Sequence, residues 1–344
     1  MRVLVTGHDG YIGSVMLDVL QAAGHEVFGL DTYYFADCGD GKPKTIPALR
    51  KDLRDLQTSD LRDVDAIVHL AALCNDPLGD LNPDWTYDIN HSASCRLALL
   101  AKEAGVARYI YASSCSMYGK TDDNMITEDA ALQPLTPYAV SKVRTEEDVS
   151  KMADADFSPV FMRNATAYGW SPRLRADVVL NNLICWAHTT GKVRIMSDGS
   201  PWRPIVHIED ISRAVAAALV APRESIHNQA INVGANDENY QVRDLAEIVR
   251  ETVPGCEVEY AANGGPDPRS YRVSFDKLTR LLPDFSPAWD ARRGAKELYD
   301  GVRRIGLTLE DFQGRRFTRL PQFKHLLDTG LLDNTLRWRV ASGG

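Results

Sequence analysis

The chain opens MRVLVTGHDGYIG, where Val3, Leu4 and Val5 run directly into glycines at 7, 10 and 13. A continuous apolar run of this kind predicts a strand buried on both faces of a parallel sheet. Apolar residues at helical spacing from Ser14 to Ala23 predict a helix directly after the turn. Glycine lacks a Cβ, so each of the three lets the backbone turn tightly, approach a ligand, or pack helix against sheet. The first N–H groups of a helix have no partner within it, and at this turn they would face a diphosphate. Gly7, Gly10, Tyr11, Ile12 and Gly13 are therefore candidate dinucleotide contacts. The spacing G-x-x-G-x-x-G is one residue wider in its first gap than the dehydrogenase fingerprint.

A second strand, His25 to Leu30, ends at Asp31, about where an acid reaches the adenosine ribose hydroxyls. A carboxylate repels a 2′-phosphate, and Thr32-Tyr33-Tyr34 holds no arginine, so the pattern predicts NAD rather than NADP. The competing reading makes Asp31 an ordinary strand-end turn residue.

Further elements follow in alternation. Strands are expected at Asp65–Leu70, Arg108–Ser113, Pro159–Arg163, Ile205–Ile208 and Ala230–Val233, and helices at Ser92–Gly105, Tyr138–Ala153 and Asp210–Val220. This order predicts an α/β fold, a doubly wound parallel sheet of Rossmann type with a smaller carboxy-terminal substrate lobe. Residues 1–165 with about 205–235 would form the dinucleotide domain. Residues about 166–204 with 236–344 would form the substrate lobe and its extension. Leu70 closes the third expected strand and Ala71-Ala72 follow it; all three are candidate cofactor contacts, and the two small alanine side chains would let a cofactor lie across the strand end. The last stretch, Phe285–Gly344, reads as helical, packed on the second lobe and frayed at Ala341–Gly344.

Composition narrows the class. A net charge of −8 argues against a nucleic-acid-coating surface. No apolar run approaches the roughly 20 residues of a membrane span. Six scattered cysteines form no C-x-x-C pair and no zinc spacing. A cytoplasmic enzyme without a metal is expected.

Tyr138-x-x-x-Lys142, with Ser114 upstream, carries the chemistry. Residues four apart share a helical face, which sets an ammonium beside a phenol. Lowering a phenol from about 10 to about 7 asks for roughly 4 kcal/mol, which the lysine and a nicotinamide ring would supply. The tyrosine then serves as general base or acid at a sugar hydroxyl, Ser114 bonds the same oxygen, and Lys142 also holds the nicotinamide ribose. The bland alternative is an incidental pair at a helix start.

Together with the glycine turn, Ala112-Ser113-Ser114-Cys115-Ser116-Met117-Tyr118-Gly119 and Pro137-Tyr138-Ala139-Val140-Ser141-Lys142 resemble the extended short-chain dehydrogenase/reductases. The nearest group is the NAD-dependent nucleotide-sugar epimerase/dehydratase family, and the likeness covers most of residues 1–285. It implies that Asp52 and Leu53 contact adenine and that Asn90 lies below the cofactor. It implies substrate contacts at Cys115, Ser116, Asn164, Asn181, Arg203 and Arg269. Arg203 belongs to the segment Trp202–Asp210 and would meet the sugar-nucleotide diphosphate; an ion pair with Glu209 is the other reading. Arg269 or Arg272 would replace an arginine usual before Gly-Asp. The family's dehydratases carry Asp-Glu after the catalytic hydroxyl, and its decarboxylases carry Glu there. Cys115 and Ser116 occupy those positions, which argues against 4,6-dehydration and leaves epimerisation, or net ketoreduction. Cys115 also reads as a small packing residue. A nucleotide-sugar substrate and a homodimer are implied, while Tyr33–Phe35 and Cys74–Asp76 have no role the resemblance supplies.

Overall fold

The computed structural model describes residues 1–41, 44–74, 76–261 and 270–339. Seven strands form the main sheet: β1 (Arg2–Thr6), β2 (Glu26–Asp31), β3 (Ala48–Arg50), β4 (Ala66–His69), β5 (Arg108–Ser114), β6 (Ser158–Asn164) and β7 (Gln229–Val233). Their spatial order is β7-β6-β5-β4-β1-β2-β3, and every pairing is parallel. The chain starts in the middle at β1, runs outward through β2 and β3, then returns to build the other half from β4. The reversal between β1 and β4 opens a crevice at the carboxyl ends of these strands, the usual ligand position in such sheets.

The apolar run of β1 divides between two cores. Val3 and Val5 join Met16, Leu17 and Leu20 of the helix Gly13–Ala22, and Ile211 and Val215 of the helix Ile208–Val220. Leu4 joins Leu97, Ala98 and Ala101 of the helix Ala93–Glu103, with Val149 of the helix Pro137–Ser150. Alternate side chains thus bury against opposite layers, which is why the run shows no polar position.

Three expectations change. Ala48–Arg50 is a strand that the sequence did not announce, because three residues are too few to show alternation. The strand expected at Ile205–Ile208 spans Trp202–His207 and lies outside the main sheet. It pairs with Thr166–Tyr168 and Asn239–Gln241 in a separate three-stranded sheet. The last stretch does not pack on the second lobe throughout. Ala291, Leu298 and Phe317 do lie in that core, but Phe285 belongs to the main-sheet core. Phe323, Leu326, Leu332 and Leu336 cross back to Tyr34, Leu73 and Leu78 beside the crevice. Ala341–Gly344 fall outside the described residues. Among the described residues, no helix is long and apolar enough to cross a membrane.

Candidate active site

Close backbone packing demands glycine at two positions of the turn. Gly7 adopts φ +73, and a Cβ there would lie 2.9 Å from the Ala71 nitrogen. A Cβ on Gly13 would lie 2.2 Å from the Gly7 carbonyl oxygen. The Gly10 N–H donates to that same oxygen at 3.0 Å, closing the turn. The following helix starts at Gly13 with no side-chain cap, so its N-terminal partial charge is available to an anion. Leu70, Ala71 and Ala72 follow β4 directly and are partly exposed, and the Ala71 N–H donates to the Thr6 hydroxyl at 3.2 Å.

Asp31 ends β2, where it accepts the Tyr33 N–H at 2.7 Å and the Asp9 N–H at 3.1 Å. Burial pushes its carboxyl up, against those two hydrogen bonds. Asp52 accepts from Arg54 at 2.7 Å; burial opposes its charge, but Arg54 holds its carboxyl below the usual range. Leu53, the other residue implied at adenine, is buried in a short 3₁₀ turn capped by Asp52. Asn90 sits in a π-helical turn, Tyr87–Ser92. It accepts the Leu73 N–H at 2.7 Å and donates to the Leu73 carbonyl at 2.9 Å, bracing the loop after β4.

The strand β5 and the helix Pro137–Ser150 bring the chemical residues together. Lys142, 2% exposed, donates to the Ala112 carbonyl at 2.6 Å. Its ammonium lies 5.6 Å from the Tyr138 ring centroid and 4.5 Å from that of Tyr111. Burial pushes Lys142 down to about 8. Burial also lifts the Tyr138 phenol well above its ordinary 10, helped by Cys74 and Tyr111, while the neighbouring Ser114 hydroxyl works the other way. The expected fall of this phenol toward 7 is thus not produced by the chain's own groups, because desolvation outweighs them. Ser114 and Ser116 hydroxyls are 2.9 Å apart, both partly exposed.

Two implied substrate contacts are placed elsewhere. Cys115 is fully buried and its thiol donates to the Arg163 carbonyl at 3.1 Å. It is a packing residue, because its side chain points into the core beneath the turn. Asn181 is also fully buried. It accepts the Gly169 N–H at 3.1 Å and donates to the Tyr11 phenol and the Arg175 carbonyl, each at 2.9 Å. Tyr11 in turn donates to the Gly169 carbonyl at 2.8 Å. Asn181 and the Tyr11 side chain therefore tie the glycine turn to the second lobe instead of facing a ligand.

Asn164 ends β6 opposite Ser114, and its amide oxygen is buried with no hydrogen-bond partner. Arg203, on the strand Trp202–His207, donates to the Trp202 carbonyl at 2.8 Å. Arg269 lies outside the described residues. Sequence reasoning missed two buried ion pairs around the site. Arg173 pairs with Asp9 of the glycine turn at 2.9 Å, and Arg163 pairs with Glu146 at 2.7 Å, one turn after Lys142. Neither pair has a spacing that a linear reading could detect, since their partners are 164 and 17 residues apart.

A family model described as NAD dependent epimerase/dehydratase family matches residues 3–234. An uncharacterised UDP-glucose epimerase of Bacillus subtilis (strain 168), YtcB, is 30% identical over 307 residues, covering 86% of this chain and 95% of that protein. The solved structure of TunA, an NAD-dependent NDP-hexosamine 5,6-dehydratase involved in tunicamycin biosynthesis, is similar with a TM-score of 0.79 and 26% identity, over 88% of this chain and 98% of that one. MoeE5 in complex with UDP-glucuronic acid and NAD is similar with a TM-score of 0.76 and 27% identity, over 89% of this chain and 100% of that one.

Proposed function

The chain belongs to the NAD-dependent epimerase/dehydratase family, and from that premise we propose that it is an epimerase acting on a nucleotide-activated sugar. The observation that carries this reading is the pair of positions after Ser114. The first holds a buried thiol and the second a hydroxyl, so neither offers a carboxylate for elimination at a neighbouring carbon. What the crevice does hold, among the described residues, is Tyr138 as a proton-transfer group, with Ser114 and Lys142 beside it.

NAD, when bound, would supply a hydride acceptor and, once reduced, a hydride donor. The Gly7–Gly13 turn and the uncapped helix start would hold its diphosphate, and Asp31 would hold its adenosine ribose. Tyr138 removes the proton from the hydroxyl of the carbon being oxidised and gives it back on re-reduction. Ser114 donates to the same sugar oxygen. Lys142 favours the phenolate by its charge, and its bond to Ala112 fixes where that charge sits. The buried, unpartnered Asn164 oxygen beside Ser114 supports a polar substrate group at that end of the crevice. Inversion would follow if the oxidised sugar turned over between the two proton transfers at Tyr138, presenting its other face for re-reduction.

The test is incubation of the purified enzyme with UDP-, dTDP-, GDP- and CDP-sugars. Interconversion of two epimers without added reductant is expected. Turnover that consumes stoichiometric NADH or NADPH would make the protein a ketoreductase instead, and loss of water from the sugar would make it a dehydratase.

A further inference from the structure

After Phe317 the chain leaves the second lobe, forms the helix Arg319–Asp328, and ends in a tight hairpin bridged between Leu332 and Trp338. Leu332 and Leu336 are buried against Tyr34, Leu73 and Leu78, on the loops that follow β2 and β4. The polar anchors reach the segments that follow β2, β3 and β4. The Tyr34 phenol donates to the Leu336 carbonyl at 2.5 Å, and the Trp85 indole to the Asn334 carbonyl at 2.7 Å. Arg337 pairs with Asp55 at 2.6 Å. The Trp338 indole N–H donates to the Thr32 carbonyl at 2.6 Å, one residue past Asp31.

Arg54 links this hairpin to the crevice. Its guanidinium holds Asp52 at 2.7 Å and Asp88 at 2.8 Å, and donates to the Thr335 carbonyl at 2.8 Å. Between the hairpin and the sheet lies a cavity of about 370 Å³, walled by Thr32, Arg50, Lys51, Asp52, Trp338 and Arg339. It sits at the carboxyl ends of β2 and β3, on the adenosine side of the glycine turn.

We propose that the carboxy-terminal hairpin Leu332–Arg339 forms the outer wall of the adenine end of the NAD site, with the Trp338 indole as the face on which the base stacks. A flat heterocycle gains contact over its whole area from an aromatic wall, and stacking of this kind tolerates a solvated outer edge. The indole is oriented by its bond to Thr32 and by the neighbouring Tyr34 ring, 5.9 Å away, so little ordering remains to be done when a base arrives. Arg54 is a positioning residue: it grips both the hairpin backbone and Asp52 and sets the spacing of the two walls. The inference rests on the family's NAD dependence and not on the choice of epimerisation.

The test compares the full-length protein with Trp338→Ala and Trp338→Phe, stripped of cofactor, by calorimetric titration with NAD and with ADP-ribose. No sugar is present, so failure of the epimerase reading leaves the result untouched. Trp338→Ala is expected to weaken both ligands by about tenfold, and Trp338→Phe to stay within about threefold of the parent. ADP-ribose binding in the alanine variant equal to the parent overturns the proposal. So does a phenylalanine variant as weak as alanine, because a ring then confers nothing. Hydrogen exchange on the unmutated protein is an independent reading: ADP-ribose should slow exchange at Thr335–Arg339, and unchanged exchange there refutes the wall even if a variant does not fold.

Discussion

Burial acts on Tyr138 and Lys142 in opposite senses. It keeps the phenol protonated and strips the lysine of its charge earlier than in water. Both shifts oppose the ion pair that the chemistry needs, so the site is arranged around a charge that the polypeptide alone does not provide. Replacing Tyr138 by Phe removes the proposed proton-transfer group, and kcat should fall by at least ~100-fold while NAD stays bound; near-parental turnover would take Tyr138 out of the mechanism. Lys142 should cost stability where it is charged. Its folded value of about 8 lies below the 10.5 of a free lysine, so between these values the unfolded chain binds more protons, and stability rises with pH. The 2.5-unit gap corresponds to about 3 kcal/mol. Lys142→Met should therefore be more stable than the parent by about 1–3 kcal/mol at pH 7, the orphaned Ala112 carbonyl offsetting part of the gain. That advantage should shrink between pH 8 and 10.5. Denaturant titrations of both proteins across this range check it, and an advantage independent of pH would refute it. The Tyr-x-x-x-Lys spacing made this pair legible; the direction of the phenol's shift was not, since it depends first on burial, with Cys74 and Tyr111 brought near from other elements adding to it.

The helix Pro137–Ser150 is aimed by its inner face. Glu146, one turn beyond Lys142, meets Arg163 of β6, and Arg163 also donates to the Tyr118 phenol at 3.0 Å. Tyr118 donates in turn to Asn232 of β7 at 2.7 Å. One polar chain thus spans the helix, the turn after Ser114 and two strands, and fixes how Lys142 lies against β5. Removing Glu146 strands a guanidinium whose side chain is 8% exposed, so Glu146→Ala should lower stability by about 3–5 kcal/mol, read as a fall in the denaturant midpoint with the slope unchanged. A loss within 0.5 kcal/mol would mean that water reaches Arg163. The existence of these elements was readable from apolar period and turn glycines. The network was not, because its members Tyr118, Glu146, Arg163 and Asn232 come from four separate places in the chain.

Tertiary ties make the two lobes one body. Ile12 and Ala167 pack against both cores, Tyr11 and Asn181 bond across the junction, and Arg173 of the second lobe neutralises Asp9 in the glycine turn. One cooperative thermal transition is expected, because neither core is complete without these shared residues. NAD at 100 times its dissociation constant should raise stability by about 2.7 kcal/mol without splitting the transition. Two separated calorimetric peaks would show that the lobes unfold independently.

Local pattern sufficed to place most of the parallel sheet, the glycine turn, Asp31 at the end of β2, and Tyr138 one turn before Lys142, since each placement depends on a short run of residues whose period or spacing dictates its geometry. Cys115, Asn181 and the final hairpin depended on the folded chain. Whether a thiol faces a crevice or a core, whether an amide meets a ligand or a distant phenol, and which loops a terminal segment covers are settled by contacts between residues far apart in sequence. A linear pattern carries no record of such contacts.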